Sequence, residues 1–258
     1  MELARAVGDP ASRSRTLTNI GNIHWGHGRH DDALAAHHEA LEIAETLGDR
    51  ANASSALNNI GNVLRRRGDY TGALVYFERS RAVAEDVGAL DQVGHVLANM
   101  ASAHLGLGDG PKALDLVTQG LPLIQTSVSR VNEAYVLTVQ GSALHAVGRS
   151  TEAVRRHREA VAIAEGTGDG SVRLIASIGL AEALCATGEP GEAVTVFGTA
   201  LELAEEAGDR YQCARAHEGL CAAFEASGSP DSARDHRRRA VELYRALNLP
   251  DADRLDGR

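Results

Sequence analysis

Five of the eleven histidines fall close together near the start of the chain: His24, His27, His30, His37 and His38. Imidazole is a common ligand of transition metals, and two histidines three residues apart share one face of a helix, as a metal site requires. No carboxylate joins the cluster at ligand spacing, and His24 and His37 stand where a later copy of a repeated pattern carries Leu64 and Phe77. We therefore predict packed, hydrogen-bonded core histidines, with no metal ion and no cofactor.

Cysteine and serine offer no nucleophile in a recognisable setting. The three cysteines, Cys185, Cys213 and Cys221, form no C-x-x-C pair, and the sequence contains no G-x-S-x-G, P-loop or dinucleotide-binding motif. Cys221 falls at a position that is small in every copy of the repeat, which accounts for it without reactivity. The sequence thus predicts a protein that is not an enzyme, in a reducing, cytoplasmic compartment.

Asparagines form the most suggestive polar pattern, on one side of three successive predicted helices. With the arginines, tryptophan, serine and tyrosine that share their stripe, the predicted ligand-binding residues are Arg15, Asn19, Asn22, Trp25, Asn58, Asn59, Asn62, Arg65, Asn99, Ser102 and Tyr135. Asparagine is a poor helix former, so its recurrence in mid-helix needs a reason. Either Asn19, Asn59 and Asn99 tie neighbouring helices together, or the carboxamides hold the backbone of an extended peptide, since each both donates and accepts.

The side chains around these asparagines suggest what such a peptide would carry. Arg15 and Arg65 flank the carboxamides and favour a carboxylate, which a guanidinium binds in bidentate fashion. Trp25, the only tryptophan, is suited either to anchor a ligand or to be covered by residues that precede the chain. Specificity is expected from Trp25 and from the more apolar stretch near Leu105 and Tyr135.

A 40-residue period places these side chains. Turn glycines, each followed five residues later by an alanine, occur six times: Gly28, Gly68, Gly108, Gly148, Gly188 and Gly228, with Ala33, Ala73, Ala113, Ala153, Ala193 and Ala233. A fixed period of this length indicates a solenoid. Within one copy, apolar residues such as Leu57 and Ile60, then Phe77, follow helical spacing and predict two helices. Gly61 and Ser80 are expected to face each other so that the two helices approach closely.

We therefore predict an all-α fold, a right-handed superhelical solenoid of six antiparallel helix-pair repeats. The repeats, numbered 1 to 6 below, span 8–47, 48–87, 88–127, 128–167, 168–207 and 208–247. Residues 1–7 match the end of a preceding second helix, which favours a fragment of a longer protein over a lost half-repeat, and 248–258 form a tail. Pro122 interrupts a predicted helix, either as a tolerated kink or as a hinge between repeats 3 and 4.

The formal net charge of −9 argues against direct nucleic-acid binding, which needs clustered cations. Two basic clusters, 155–158 and 234–239, are therefore expected to be a solvated outer wall and not a nucleic-acid site. No run of 18 apolar residues and no signal peptide are apparent, so no membrane association is predicted.

In its pattern of small and large residues, the unit resembles the tetratricopeptide repeat, in a 40-residue form with Gly-Asp joints. That resemblance implies a concave groove, lined by the first helices, that holds an extended peptide or protein segment. The chain is also similar to the C-terminal repeat region of actinobacterial SARP and STAND-type transcriptional regulators, through NNIGNVLRRRGDYTGALVYFERS and the closing HRRRAVELYRALNLPDADRL. ATP and DNA binding are not implied, because the chain has neither of those modules.

The resemblance implies a protein- or peptide-binding scaffold, the sensor or partner-binding arm of a transcriptional regulator. The alternative is a free-standing intracellular receptor for a signalling peptide or a small molecule. The oligomeric state stays open.

Overall fold

The computed structural model describes residues 9–125, 129–247, 249 and 251–257. In these ranges the chain forms thirteen α-helices and no strand. They are α1 Pro10–Gly26, α2 His30–Leu47, α3 Arg50–Arg66, α4 Tyr70–Asp86, α5 Leu90–Gly106, α6 Gly110–Gln125, α7 Arg130–Ala146, α8 Ser150–Thr167, α9 Gly170–Thr187, α10 Pro190–Ala207, α11 Arg210–Ala226, α12 Pro230–Ala246 and α13 Asp251–Asp256. Residues 1–7, predicted to be the end of a further helix, lie outside the described residues.

Several helices begin or end at residues whose chemistry favours a helix terminus. Asp49 caps α3 by accepting a hydrogen bond from the backbone N–H of Asn52 at 3.1 Å, which satisfies an amide that has no partner inside the helix. Gly48 ends α2 with φ at 67°, a left-handed conformation that glycine adopts without steric cost. Three prolines start helices, where a missing N–H costs nothing: Pro10, Pro190 and Pro230.

The chain divides into two compact units, residues 1–128 and 129–258, which we call the N-terminal and C-terminal units. In each, the helices pack as consecutive pairs, and the second helix of a repeat also packs on the first helix of the next. Neighbouring first helices touch (α1 with α3, α3 with α5, α7 with α9, α9 with α11), whereas in the described ranges neighbouring second helices show no such packing. Each unit therefore curves with its first helices on the inner, concave side, and the predicted all-α solenoid of helix pairs is confirmed.

The core confirms the predicted apolar faces, with one correction. Leu57 is 1% exposed, and Phe77 is fully buried. Gly61 does not face Ser80, because the atoms nearest to a Cβ built on Gly61 belong to the Phe77 ring, at 2.5 Å. Ser80 instead faces Ser54 and donates to its carbonyl oxygen at 2.8 Å. Glycine at position 61 thus makes room for a large ring, while the small pair lies elsewhere along the antiparallel helices.

His37 is packed in the core as predicted. It occupies the position in repeat 1 that Phe77 occupies in repeat 2. It is 1% exposed, and a Cβ built on Gly21 would lie 2.4 Å from its ring. Its Nδ1 has no hydrogen-bond partner among the described residues, contrary to the expectation of hydrogen-bonded histidines. His157 holds the same place in repeat 4, is fully buried, and within the same ranges neither of its ring nitrogens is hydrogen-bonded.

Helix α9 is the most apolar part of the core. Although the sequence has no run of 18 apolar residues, Gly170–Thr187 is long and apolar enough to cross a membrane by length and composition alone, with mean hydropathy 1.3. More than half of it (56%) is buried, and it packs against α7, α8, α10 and α11 in the C-terminal unit. Most of its apolar side chains, such as Leu174 and Ile178, belong to the core, whereas Ile175 is 37% exposed.

Helix α6 continues to Gln125 through Pro122, so the proline does not end the helix. Because proline has no N–H, the carbonyl of Thr118 loses its partner four residues ahead. We expect the amides of residues 121, 123 and 124 to exchange hydrogen faster than those around Val83 at the same place in α4. Hydrogen exchange followed by mass spectrometry measures this, and equal protection in the two segments would leave a plain kink and remove the predicted hinge.

Candidate functional site

The predicted binding residues of repeats 1 to 3 lie on α1, α3 and α5, the concave layer of the N-terminal unit. They differ in how far solvent reaches them. The exposed ones are Arg15, Asn19, Asn22 and Trp25, the partly exposed ones are Asn59, Asn62, Arg65 and Ser102, and the buried ones are Asn58 and Asn99. Tyr135 lies on α7 in the C-terminal unit and is partly exposed.

Asn58 and Asn99 form a buried tie between α3 and α5. Nδ2 of Asn99 donates to Oδ1 of Asn58 at 2.8 Å, and the two residues are only 1% and 6% exposed, respectively. A hydrogen bond in such a low-dielectric setting is strong, and leaving either partner unpaired is costly. This bond matches one of the two interpretations of the asparagines, in which they tie neighbouring first helices together. Here the tie uses Asn58, because one residue along a helix turns the side chain by about 100°, which directs Asn58 and not Asn59 inward.

Asn22 and Asn59 form a second, solvent-accessible contact, between α1 and α3. Nδ2 of Asn59 donates to Oδ1 of Asn22 at 3.3 Å. Within the described ranges, Nδ2 of Asn22 and Oδ1 of Asn59 make no further hydrogen bond, and Asn19 makes none through its side chain. A donor and an acceptor from adjacent helices are therefore available to a ligand, which is the arrangement needed to pair with a peptide unit.

The two arginines predicted to flank the asparagines bond only to neutral groups. Nη2 of Arg65 lies 3.5 Å from Oδ1 of Asn62, and Nη2 of Arg15 donates to Oγ of Ser12 at 3.2 Å. Neither forms an ion pair in the described part of the chain, whereas the neighbouring Arg67 pairs with a carboxylate of α2 at 2.8 Å. Among the described residues, neither guanidinium is therefore ion-paired with a carboxylate, although the charge of Arg15 contributes to lowering the pKa of Asp9.

The charge of the whole concave layer follows the same trend. Helices α1, α3 and α5 carry five arginines (Arg13, Arg15, Arg50, Arg65 and Arg66) and one acidic residue, Asp91. The corresponding helices of the C-terminal unit, α7, α9 and α11, carry four arginines and four glutamates. Although Arg13 and Arg50 pair with Glu39 and Asp86 of the second helices, the first helices of the N-terminal unit are thus more cationic than those of the C-terminal unit, in a chain of net charge −9.

Trp25 stands at the end of this layer and is 38% exposed. The guanidinium carbon of Arg66 lies 5.8 Å from its ring centre, a cation–π contact between α3 and α1. Sequence reasoning missed Arg66 as a site residue, because only the packing of α1 on α3 brings it to the tryptophan.

Burial, and then the positive charge of Arg65, lowers the pKa of His95 on α5 to about 4, so this imidazole is neutral near pH 7.

Metal ligands and thiols were the other candidate reactive groups in the sequence. In the described ranges no group of three or more histidine, cysteine, aspartate or glutamate residues could hold a metal ion. Burial raises the pKa of the thiols of Cys185, Cys213 and Cys221, which keeps them in the unreactive protonated form.

Comparison with solved structures extends the fold assignment. The apo form of RapI superposes with a TM-score of 0.73 at 13% identity, over 93% of this chain and 86% of that one. The Rap conjugation gene regulator of the plasmid pLS20, in complex with the Phr* peptide, gives 0.75 at 15% identity, over 93% and 64%. A STAND protein with a tetratricopeptide repeat sensor from Pyrococcus horikoshii gives 0.64 at 15% identity, over 97% and 40%. At these identities the likeness concerns the fold alone.

Comparison at the level of sequence gives the family. No curated protein matches the chain. The tetratricopeptide repeat family matches residues 12–86, 52–126 and 172–246, which together cover more than half of it. The helix pairs, their 40-residue period and this match agree, and the chain belongs to the tetratricopeptide repeat family.

Proposed function

We propose that the protein is a binding module whose N-terminal unit holds an extended, acidic peptide or partner segment on its concave layer. One observation carries the proposal: accessible carboxamides from adjacent helices lie near Arg15 and Arg65, and neither arginine forms an ion pair with a carboxylate of the described residues. The residues of this unit that would contact the ligand are Arg15, Asn19, Asn22, Asn59, Asn62 and Arg65, with Trp25 and Ser102 contributing specificity. Asn58 and Asn99 would support them from below.

The carboxamides suit a peptide because their donor and acceptor pair with the backbone whatever its side chains are. An extended strand has the same groups at regular intervals, so contacts from α1 and α3 can bind it without reading its sequence. The buried bond between Asn58 and Asn99 would hold α3 against α5 before the ligand arrives. Pre-organisation of this kind lowers the entropic cost of binding.

The charges suit an acidic ligand. A carboxylate beside Arg15 or Arg65 would form a charge-assisted, bidentate pair, which is stronger than a neutral hydrogen bond. Trp25, with Arg66 against its ring, offers an apolar surface that also tolerates a negative group. Because the protein as a whole is acidic, the cationic side chains of this layer would attract such a ligand locally.

We infer further that the module is the sensor or partner-binding arm of a bacterial transcriptional regulator, working in the cytoplasm. Support comes from the resemblance of its repeats to actinobacterial SARP and STAND-type regulators, and from the shared fold with a STAND protein that has a tetratricopeptide repeat sensor. A second candidate is a free-standing receptor for a signalling peptide. Two fold matches support this second candidate. One covers 86% of RapI, and the other is to a Rap regulator in complex with the Phr* peptide.

Selection from a random peptide library tests the site. We expect enrichment of extended peptides rich in aspartate and glutamate. The substitutions Asn59→Ala and Arg65→Gln should each weaken the selected peptide by ~1–3 kcal/mol, because a partner group is left unpaired. Fluorescence anisotropy of the labelled peptide gives the affinities.

Two matched variants make this result specific. Arg67→Gln removes an adjacent arginine that already pairs with Asp31, so it should leave affinity unchanged. Asn99→Ala breaks the buried tie and should lower thermal stability as well as affinity. If Asn59→Ala and Arg65→Gln bind like the parent, or if basic peptides are selected equally well, the concave layer is not the site.

A further inference from the structure

The C-terminal unit contains a cleft of about 460 Å³ between the end of α10, the first half of α11 and the last turns of α12. Its polar and ionisable lining residues are Glu205, Arg210, Cys213, His217, Arg239 and Glu242. None of them belongs to the peptide face proposed above, which lies in the N-terminal unit. The cleft is within the size range of small-molecule sites in proteins.

The repeat supplies an internal control for this cleft, 160 residues earlier. There the equivalent positions are Glu45, Arg50, Ala53, Leu57, Arg79 and Ala82. In that cleft Arg79 pairs with Glu45 at 3.2 Å and Arg50 pairs with Asp86. Its floor, formed by an alanine and a leucine, is apolar. Both arginines of the control cleft are therefore paired with carboxylates of the protein, and neither is left to bind a ligand.

The C-terminal cleft differs at the positions that form ion pairs in the control cleft. Ala246 stands where Asp86 pairs with the arginine of α3, so Arg210 has lost that partner. Arg239 and Glu205, the equivalents of a bonded pair, form no ion pair in the described part of the chain. Glu242 replaces an alanine and brings an additional carboxylate. Two cations and two anions thus line one cleft without neutralising each other directly.

The floor has also become polar, since His217 replaces a core leucine and Cys213 an alanine. His217 is 4% exposed, and its Nδ1 lies 2.9 Å from Nδ1 of His236. Burial, then the neighbouring His236 and the charge of Arg239, lowers the pKa of His217 to about 4. The imidazole is therefore neutral near pH 7, and Nε2 is the nitrogen through which it can contact a ligand. The contact with His236 offsets part of the cost of burying this polar group in place of leucine.

We propose that this cleft binds a small zwitterion of the size of a free α-amino acid. Its carboxylate would lie between Arg210 and Arg239, whose guanidinium groups suit bidentate pairing, and its ammonium group would lie near Glu205 and Glu242. His217 would contact the polar backbone atoms of the ligand at the floor. Both charges of the ligand are needed, because each would pair with two like-charged side chains, which are exposed and form no ion pair with the described residues.

The probes are the twenty proteinogenic L-amino acids, each at about 10 mM, first by thermal shift and then by calorimetric titration. We expect at least one to bind, and Arg210→Gln and Arg239→Gln each to weaken it by about tenfold or more. The N-acetylated and the amidated forms of that amino acid should also bind about tenfold more weakly, since each lacks one charge.

The equivalent cleft gives the matched controls. Arg50→Gln and Arg79→Gln remove the corresponding arginines of the N-terminal unit and should leave amino-acid binding unchanged. If no amino acid binds, or if these two variants weaken binding as much as the variants in the C-terminal cleft, the proposal is wrong. Peptide binding to the concave layer is measured separately and stays unaffected by either result.

Discussion

Lowering the pH from 7 toward 4.5 is expected to destabilise the protein strongly, through His37 and His157. Burial lowers the pKa of each of these histidines to about 4, from an ordinary value of 6.5. Between those two pH values, each of these imidazoles is protonated in the unfolded chain and neutral in the folded protein. Stability therefore falls as the pH falls through this window, by up to about 1.4 kcal/mol per pH unit for each histidine.

Substitution by phenylalanine separates this effect from other acid-sensitive groups. Repeats 2 and 5 carry Phe77 and Phe197 at the same position, both buried against glycines, so the ring fits. We expect His157→Phe and His37→Phe to stabilise the protein and to flatten the dependence of unfolding free energy on pH. Urea titrations at pH 7, 6 and 5 measure both changes.

The reciprocal substitution is a control in the opposite direction. Phe77→His should add to the pH dependence, because it places a neutral imidazole in an equivalent core. Unchanged pH dependence in both His→Phe variants would mean that the folded protein protonates these histidines without penalty.

Leu57→Ala is expected to cost ~2–5 kcal/mol of unfolding free energy, the largest effect of any single substitution we propose. Leu57 is 1% exposed and packs in a cluster with Leu41, Ala44 and Ile60 that joins repeats 1 and 2. Its removal leaves a cavity where two repeats meet. Because solenoid stability is a sum of repeat and interface contributions, unfolding is expected to split into two steps.

Leu47→Ala is the matched control, because this leucine is 47% exposed at the end of α2. It should change stability by less than about 0.5 kcal/mol. A loss below about 1 kcal/mol for Leu57→Ala in urea titration would show that the helix faces are wrongly assigned.

The amino-acid sequence determined the fold because its signals are local and repeated. Asp49 caps a helix through an amide three residues away, and Gly48 ends one through its own backbone, so neither needs a distant partner. The 40-residue period then fixes which helices pair, since each repeat buries its apolar face only against its neighbours. The packing of Leu57 and Phe77 follows from helical spacing alone.

Sequence periodicity could not separate the two roles of the asparagines. Asn58 and Asn59 are adjacent and identical in type, but a helix turns by about 100° per residue. Only the approach of α5 to α3 decides that Asn58 is buried against Asn99 while Asn59 faces solvent beside Asn22. The same packing brings Arg66 over Trp25, which no spacing rule indicates.

Only the tertiary structure, likewise, revealed the cleft of the C-terminal unit. Its lining comes from three helices, and the decisive differences, Ala246 for Asp86 and His217 for Leu57, look like ordinary variation along the chain. Their effect appears only in the folded protein, where these residues lie around one cleft with Arg210 and Arg239. The physical reason is that a charge is satisfied or left over according to its distance from other charges, and that distance exists only in the folded protein.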